Sequence, residues 1–233
     1  SLVGLYVKQH DERLAGLELR NVSLQLWVDG GCKDEEFGEL SFSPKGVEGA
    51  IVLRLSRNAV DALAKKSKVQ LKLDLKPALS EEQLRQRILR ELDTVPRPAT
   101  IEALLRKLLP APLIQPFAEK AGVAVKQKTT ELKKGSLQRV IARLKSFEME
   151  VIGHEGYERA VVTAGGISLN ELDSKTMRAK KYTNLYFAGE VVDLDGNTGG
   201  YNLQIAFSTG YLAGLSAAKH ALLDVGQSEA SAE

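Results

Sequence analysis

Between Val69 and Leu75 apolar residues fall on every second position, with Gln70, Lys72 and Asp74 turned outward, and after Pro77 they fall on every third or fourth. A period of two belongs to a half-buried strand and a period near 3.6 to an amphipathic helix, so one chain must accommodate both. Before the switch, "LVGLYV", "LELRNVSLQLWV", "GELSFS" and "AIVLRLS" read as further short strands, separated by turn-like "DGGCKD" and "SPKG". Strands of this length and spacing predict a small barrel or sandwich. After it, Ser80 and "SEEQLRQRILREL" supply a cap, an acidic first turn and apolar Leu84, Ile88, Leu89 and Leu92. "TIEALLRKLL", "LIQPFAEKAG" and "SLQRVIARLKSF" predict more short helices, with prolines at 96, 98, 110, 112 and 116 as punctuation.

The strand pattern returns at Phe147 in "FEMEVIG" and in "RAVVTAGGI", which reads as buried; "NLYFAGE" follows as a short strand, then a long helix from about Tyr201 and a polar tail. The expected class is α+β. Residues 1–78 form a barrel-like part, 79–146 a helical-bundle insert, 147–165 return strands, 166–225 a closing βα segment and 226–233 a disordered tail.

At 233 residues and 43% hydrophobic, the chain can bury a sizeable core. Its charges nearly cancel at +2 and are scattered, so the expected partners include neither nucleic acid nor a membrane, and the Lys and Arg of the helical insert read as a solvated face. Cys32 is the sole cysteine, which excludes an internal disulfide and favours a reducing compartment. No apolar run approaches the roughly 18 residues of a membrane span, and a cytoplasmic location is expected. His10, His154 and His220 match no metal-ligand spacing, and neither Ser208 nor Ser216 lies in a G-x-S-x-G elbow.

The chemistry concentrates in "NLYFAGEVVDLDGNTGGYNLQIAFSTGYLAG". An apolar run ends on Gly189 and Glu190; Asp193, Asp195, Gly196, Asn197 and Thr198 favour a tight loop; Gly199 and Gly200 precede Tyr201 and Asn202 at a helix start. An acid at a strand end can accept hydrogen bonds from sugar-like hydroxyls, and a helix N-terminus offers free N–H groups to anionic or carbonyl oxygens. Small residues Ala206, Gly210, Ala213, Gly214 and Ala217 would let that helix pack closely. The residues alone leave open an ordinary βα connection with a structural turn.

That stretch resembles the closing flavin motif of the HI0933-like NAD(P)/FAD-dependent oxidoreductases. "AVVTAGGISLNELDSKTMRAKKYTNLYFAGE" resembles what precedes it in the family, while "GLELRNVSLQL" and "GELSFSPKGVEGAIVLRLS" resemble the start of the family's inserted β domain. The family pattern in the last of these is closer to T-H-x-G-x-S-G-P, where this chain has Ser43, Pro44, Gly46, Glu48, Gly49 and Ala50. The departure weakens any transfer of substrate preference.

The resemblance implies an FAD-dependent oxidoreductase, with NAD(P)H as a possible electron donor, that moves hydride between flavin and a small organic substrate. Its Rossmann-like FAD domain would be split by a barrel-and-helix insert. By the same resemblance Glu190 would hold the ribityl or pyrophosphate region. Gly199, Gly200, Tyr201 and Asn202 would bring the helix start to phosphate or flavin carbonyl oxygens; Asp193 and the loop from Asp195 to Thr198 would shape the pocket; Gly165 and Gly166 would let backbone lie close. A G-x-G-x-x-G stretch is missing, since "GHEGYERA" has the wrong spacing, and the first residue is Ser1. The expectation is therefore an N-terminal FAD half outside this chain, acting as its partner. The competing reading is a non-catalytic β-plus-helical interaction module.

Overall fold

The computed structural model describes residues 2–8, 10–94, 98–131 and 135–230. It is mixed α+β and divides into two units, one of residues 3–156 and one of residues 1–2 with 157–233.

In the larger unit six antiparallel strands close into a barrel: β1 (Leu5–Val7), β2 (Glu18–Val28), β3 (Gly31–Ser43), β4 (Gly46–Glu48), β5 (Val69–Asp74) and β6 (Phe147–His154). Their spatial order is β1-β4-β3-β2-β5-β6, and β6 returns to β1 through pairs such as Leu5 with His154. β2 and β3 form a long hairpin whose turn residues Asp29 and Gly30 both have positive φ, 50° and 85°, matching the right-handed twist of the strands. The alternation read in β5 holds, with Val69, Leu71 and Leu73 inward. They meet Leu24 and Leu26 of β2 and Phe147 and Met149 of β6 in one core.

Two segments depart from the sequence reading. "AIVLRLS" is not a strand but the start of helix α1 (Ala50–Ala64). The β-branched Ile51 and Val52 suggest a strand, yet the buried positions 51, 52, 55, 56, 59 and 62 have helical spacing and pack against β2 to β6. Likewise "GELSFS" belongs to one strand with "GCKDEEF", so Cys32 lies exposed in β3 rather than in a loop.

Between β5 and β6 the described residues build four α-helices: α2 (Glu81–Thr94), α3 (Ile101–Leu105), α4 (Ala111–Ala121) and α5 (Ser136–Lys145). Ser80 and Gln83 cap α2 reciprocally, Ser80 Oγ accepting from Gln83 N–H at 3.2 Å and Gln83 Oε1 from Ser80 N–H at 2.9 Å. Of its apolar residues, Leu84 and Ile88 are fully buried while Leu89 is exposed. Pro112 sits in the first turn of α4, but Pro116 lies inside that helix instead of ending it. Pro96 falls outside the described residues.

The helices share the barrel's core. Phe117 of α4 stacks on Phe147 of β6 with ring centroids 6.4 Å apart. Lys145, at the end of α5, pairs with Asp74 of β5 at 2.5 Å and donates to the carbonyls of Lys76 and Leu79 at 3.1 and 2.7 Å.

The smaller unit holds helix α6 (Tyr201–Ala230), three short 3-10 turns and a core of Leu172, Met177, Val192 and Ala213. The strands expected in "RAVVTAGGI" and "NLYFAGE" are absent among the described residues. Single bridges stand in their place, Leu2 with Val162, Ile167 with Val192 and Arg178 with Tyr186, and Val161 is 63% exposed rather than buried. A strand exists only where a neighbour takes its backbone hydrogen bonds, and here no run of such partners adjoins these segments. Helix α6 includes 226–230, expected to be disordered; 231–233 lie outside the described residues. Along it Leu203, Phe207, Tyr211 and Leu215 are exposed at four-residue spacing.

Replacing Lys145 by Met removes the ion pair and leaves two carbonyls without their donor. The variant should lose about 3 kcal/mol of unfolding free energy in urea titrations; a loss under about 0.5 kcal/mol would mark the contact as an ordinary surface pair.

Candidate functional site

At the start of α6 the backbone is shaped by its loop. Asn202 reaches back to Gly196, its Oδ1 accepting from Gly196 N–H and its Nδ2 donating to Gly196 O, both at 2.8 Å. Gly199 and Gly200 then turn the chain with φ of 118° and 89°, a region open to glycine at no steric cost. Apart from its neighbours along the chain, nothing lies within 4 Å of where a Gly200 Cβ would stand. The first i to i−4 bond of the helix runs from Gln204 N–H to Gly200 O, so the N–H groups of 201–203 precede the intrahelical ladder.

Of these residues Gly199, Gly200, Asn202 and Leu203 border a cavity of about 370 Å³, near the lower end of small-ligand sites. Glu190 lines it together with Thr198, Gly199, Gly200 and Asn202. Its walls are largely apolar, including Val162, Leu194, Leu203 and Ile205. Glu190 stands in a 3-10 turn, Gly189–Val191, whose Gly189 N–H donates to Thr209 Oγ1 at 2.9 Å; that hydroxyl donates to Ile205 O at 2.7 Å, tying the turn to α6. Glu190 Oε1 accepts both the N–H and the hydroxyl of Thr163, each at 2.6 Å. Those bonds, the hydroxyl first, hold the Glu190 carboxyl below its ordinary pKa.

Gly165 and Gly166 do not line the cavity. They allow Ile167 to pair in parallel with the 191–193 backbone, through Ile167 N–H to Val191 O at 2.8 Å and Asp193 N–H to Ile167 O at 2.9 Å. A Cβ on Gly166 would lie 2.3 Å from Val191 O, so only glycine fits. Gly189, Asp193, Asp195, Gly196, Asn197 and Tyr201 also stand outside the cavity lining; Tyr201 is 65% exposed. Thr163 and Thr209, which orient Glu190 and its turn, were not singled out in the sequence. Thr163 lies in "RAVVTAGGI", but its distance of 27 residues from Glu190 carries no periodic signal.

A second cavity of about 460 Å³ lies in the barrel unit, with Leu14, Phe42 and Phe147 in its walls. Its carboxylates Asp11 and Glu119 both pair with Arg13, at 2.6 and 3.1 Å, so the trio keeps one net negative charge and no free carboxylate. Among the described residues there is no group of three His, Cys, Asp or Glu side chains able to hold a metal, and no helix is long and apolar enough to cross a membrane.

Two substitutions test the geometry. Thr163→Val should raise the Glu190 pKa toward the ordinary 4.5 in a carboxyl NMR titration. Because the native carboxyl is depressed, its stabilising contribution is full above the unfolded pKa and disappears as pH falls through the folded one, so Thr163→Val should flatten stability in that acidic window. Gly166→Ala should break the pairing at Ile167, read as faster amide exchange at Ile167 and Asp193 with the barrel amides unchanged.

Comparison with known proteins bears on the whole chain. Residues 1–162 match the family model described as the HI0933-like protein barrel and H2TH domain. A 3-dehydro-bile acid delta(4,6)-reductase of Clostridium scindens is 29% identical over 94% of this chain and 53% of its own length. A ribosomal RNA dihydrouridine synthase of Haemophilus influenzae is 29% identical over 93% of the chain and 51% of its length. The Escherichia coli protein of the latter name is 47% identical over 32% of the chain and 18% of its length. The chain thus spans about half the length of the first two relatives. With a closed barrel and inserted helices in the region that the family model matches, the chain belongs to the HI0933-like family.

Proposed function

We propose that this chain is the barrel-and-helix insert and the closing FAD-binding segment of a flavin-dependent reductase whose G-x-G-x-x-G half lies outside these residues. The observation that carries this reading is the meeting of the free start of α6, the open Gly199–Gly200 turn and the Glu190 carboxylate at one cavity. The residues present fit part of a flavin dinucleotide. The N–H groups of Asn202 and Leu203 suit phosphate or flavin carbonyl oxygens. Glu190 is an acceptor only and would repel phosphate, so of the two roles the resemblance implied, it suits hydroxyls of the ribityl chain. With Oε1 engaged by Thr163, Oε2 would be the oxygen to accept from them. Asp193 and the 195–198 loop would shape the rim, and Gly165 and Gly166 would fix it through the Ile167 pairing. Strand partners for the 160–163 and 185–188 segments would come from the missing half, converting single bridges into a Rossmann-like sheet.

Bound FAD would supply hydride transfer, recharged from NAD(P)H. This chain's part would be to orient the cofactor and keep water from the apolar wall of the site. The names of the relatives share a chemistry: both a 3-oxo-Δ4,6 steroid and the uracil ring contain a carbon–carbon double bond conjugated to a carbonyl. Addition of hydride and a proton saturates that bond. We assign the substrate to this class, with a uridine in RNA and a small enone as its two forms. The lone exposed Cys32 is compatible with a cytoplasmic setting.

The test is flavin binding. The chain alone should bind FAD weakly or not at all. Adding the remaining half should restore binding, and Glu190→Gln in the reunited protein should weaken it by about tenfold, the size of one hydrogen bond to a charged group. A sample of the chain alone that stays yellow with stoichiometric flavin through gel filtration would overturn the split arrangement. Absence of binding after the halves are rejoined would favour the non-catalytic module.

A further inference from the structure

The near-neutral total conceals a division. Residues 79–146 contain 14 Lys and Arg against 7 Asp and Glu, while the rest of the chain contains 18 against 23, so the helical part is at +7 and the remainder at −5. In the structure three of these cations converge. Lys120 near the end of α4 and Arg139 and Arg143 of α5, one turn apart, edge a groove of about 200 Å³ floored by Ala121 and Ala142.

Their hydrogen bonds leave most of that charge uncompensated. Arg139 donates from Nε to Ala121 O at 3.3 Å and from Nη2 to Gly122 O at 3.5 Å and Ser136 Oγ at 3.1 Å. Lys120 Nζ donates to Glu148 O at 3.0 Å and lies 4.9 Å from the Phe147 ring centroid. Neither contacts a carboxylate among the described residues. Arg143 meets Glu148 at 3.5 Å, the single acid lining the groove. A neighbouring depression of about 260 Å³ continues the strip past Lys8, which pairs with Glu150 at 3.4 Å. Burial first, and then the proximity of Arg143, depresses the Lys120 pKa, while Glu148 opposes the shift.

We propose that the groove between α4 and α5, edged by Lys120, Arg139 and Arg143, docks the phosphodiester backbone of RNA. Arg139 is already held by the end of α4, so its remaining guanidinium donors are oriented at little further entropic cost. The alanine floor lets a chain of phosphates approach closely, and the open continuation toward Lys8 suits a polymer better than a small anion. Phosphate contacts of this kind position a substrate without reading its bases. The choice of RNA over another polyanion rests on the uridine form of the substrate proposed above.

Binding of the 233-residue chain to a labelled, uridine-bearing single-stranded RNA, measured without flavin over a salt series, tests this. Three phosphate contacts to a single strand predict a slope of log K against log salt of about −2. Combined Lys120→Gln, Arg139→Gln and Arg143→Gln should lower affinity by about tenfold or more at low salt and flatten the slope. Arg143→Gln alone should reduce the slope by about 0.7, and Arg143→Lys should restore it. The single variants keep the test valid if the triple one does not fold. Arg87→Gln with Arg90→Gln, on α2, should leave binding within about twofold. An unchanged slope in Arg143→Gln, or polyglutamate binding as tightly as the RNA, overturns the proposal, the second outcome pointing to an acidic protein. Since no flavin is present, failure of the flavin reading leaves these outcomes readable.

Discussion

The pairing of β6 with both β5 and β1 is the constraint on which the larger unit depends. Every other strand contact could form from residues before Asp74, but the ring closes only when Phe147–His154 arrives and takes the free edges of β5 and of β1. Closure removes the exposed hydrogen-bonding edges that an open sheet would present. It also seals a core in which Leu24, Leu26, Leu71, Leu73 and Phe147 are all at most 1% exposed. Because β6 follows the helices in sequence, closure requires the helical segment to bring its end back beside β5. The Lys145 ammonium, clamped to Asp74 and to the carbonyls of residues 76 and 79, fixes that return.

What could be read in advance followed from local period. β5 and β6 expose one face and bury the other, and their alternation shows it; α2 carries its cap and its stripe in contiguous letters. α1 misled because its first residues are β-branched, and propensity yields to the tertiary surface that a segment must cover. The smaller unit misled for another reason. "YFAGE" has strand composition, but strand formation is a property of pairs, and the single bridges along 160–188 show how little pairing these residues find.

The candidate site was legible as a place more than as a set of contacts. Glu190, the glycine pair and Asn202 do come together at one cavity, because a loop and a helix start are local objects. The bond from Thr163 to Glu190 crosses 27 residues and depends on how two loops fold against each other. Gly166 illustrates the limit in reverse: its type was conspicuous, but its reason, the carbonyl of Val191 in the space of a methyl group, is visible only in three dimensions.

The helices enter after β5 and leave before β6, two strands that are antiparallel neighbours, with Leu73 opposite Phe147. Topologically the whole excursion is the tip of one hairpin, so its length can vary without altering how the ring is strung. Energetically it is no mere tip, since Phe117 and Phe147 share a single apolar interior across the junction. A lineage is thus free to lengthen or reshape this outgrowth at its periphery, whereas deleting it would leave the wall of the ring bare.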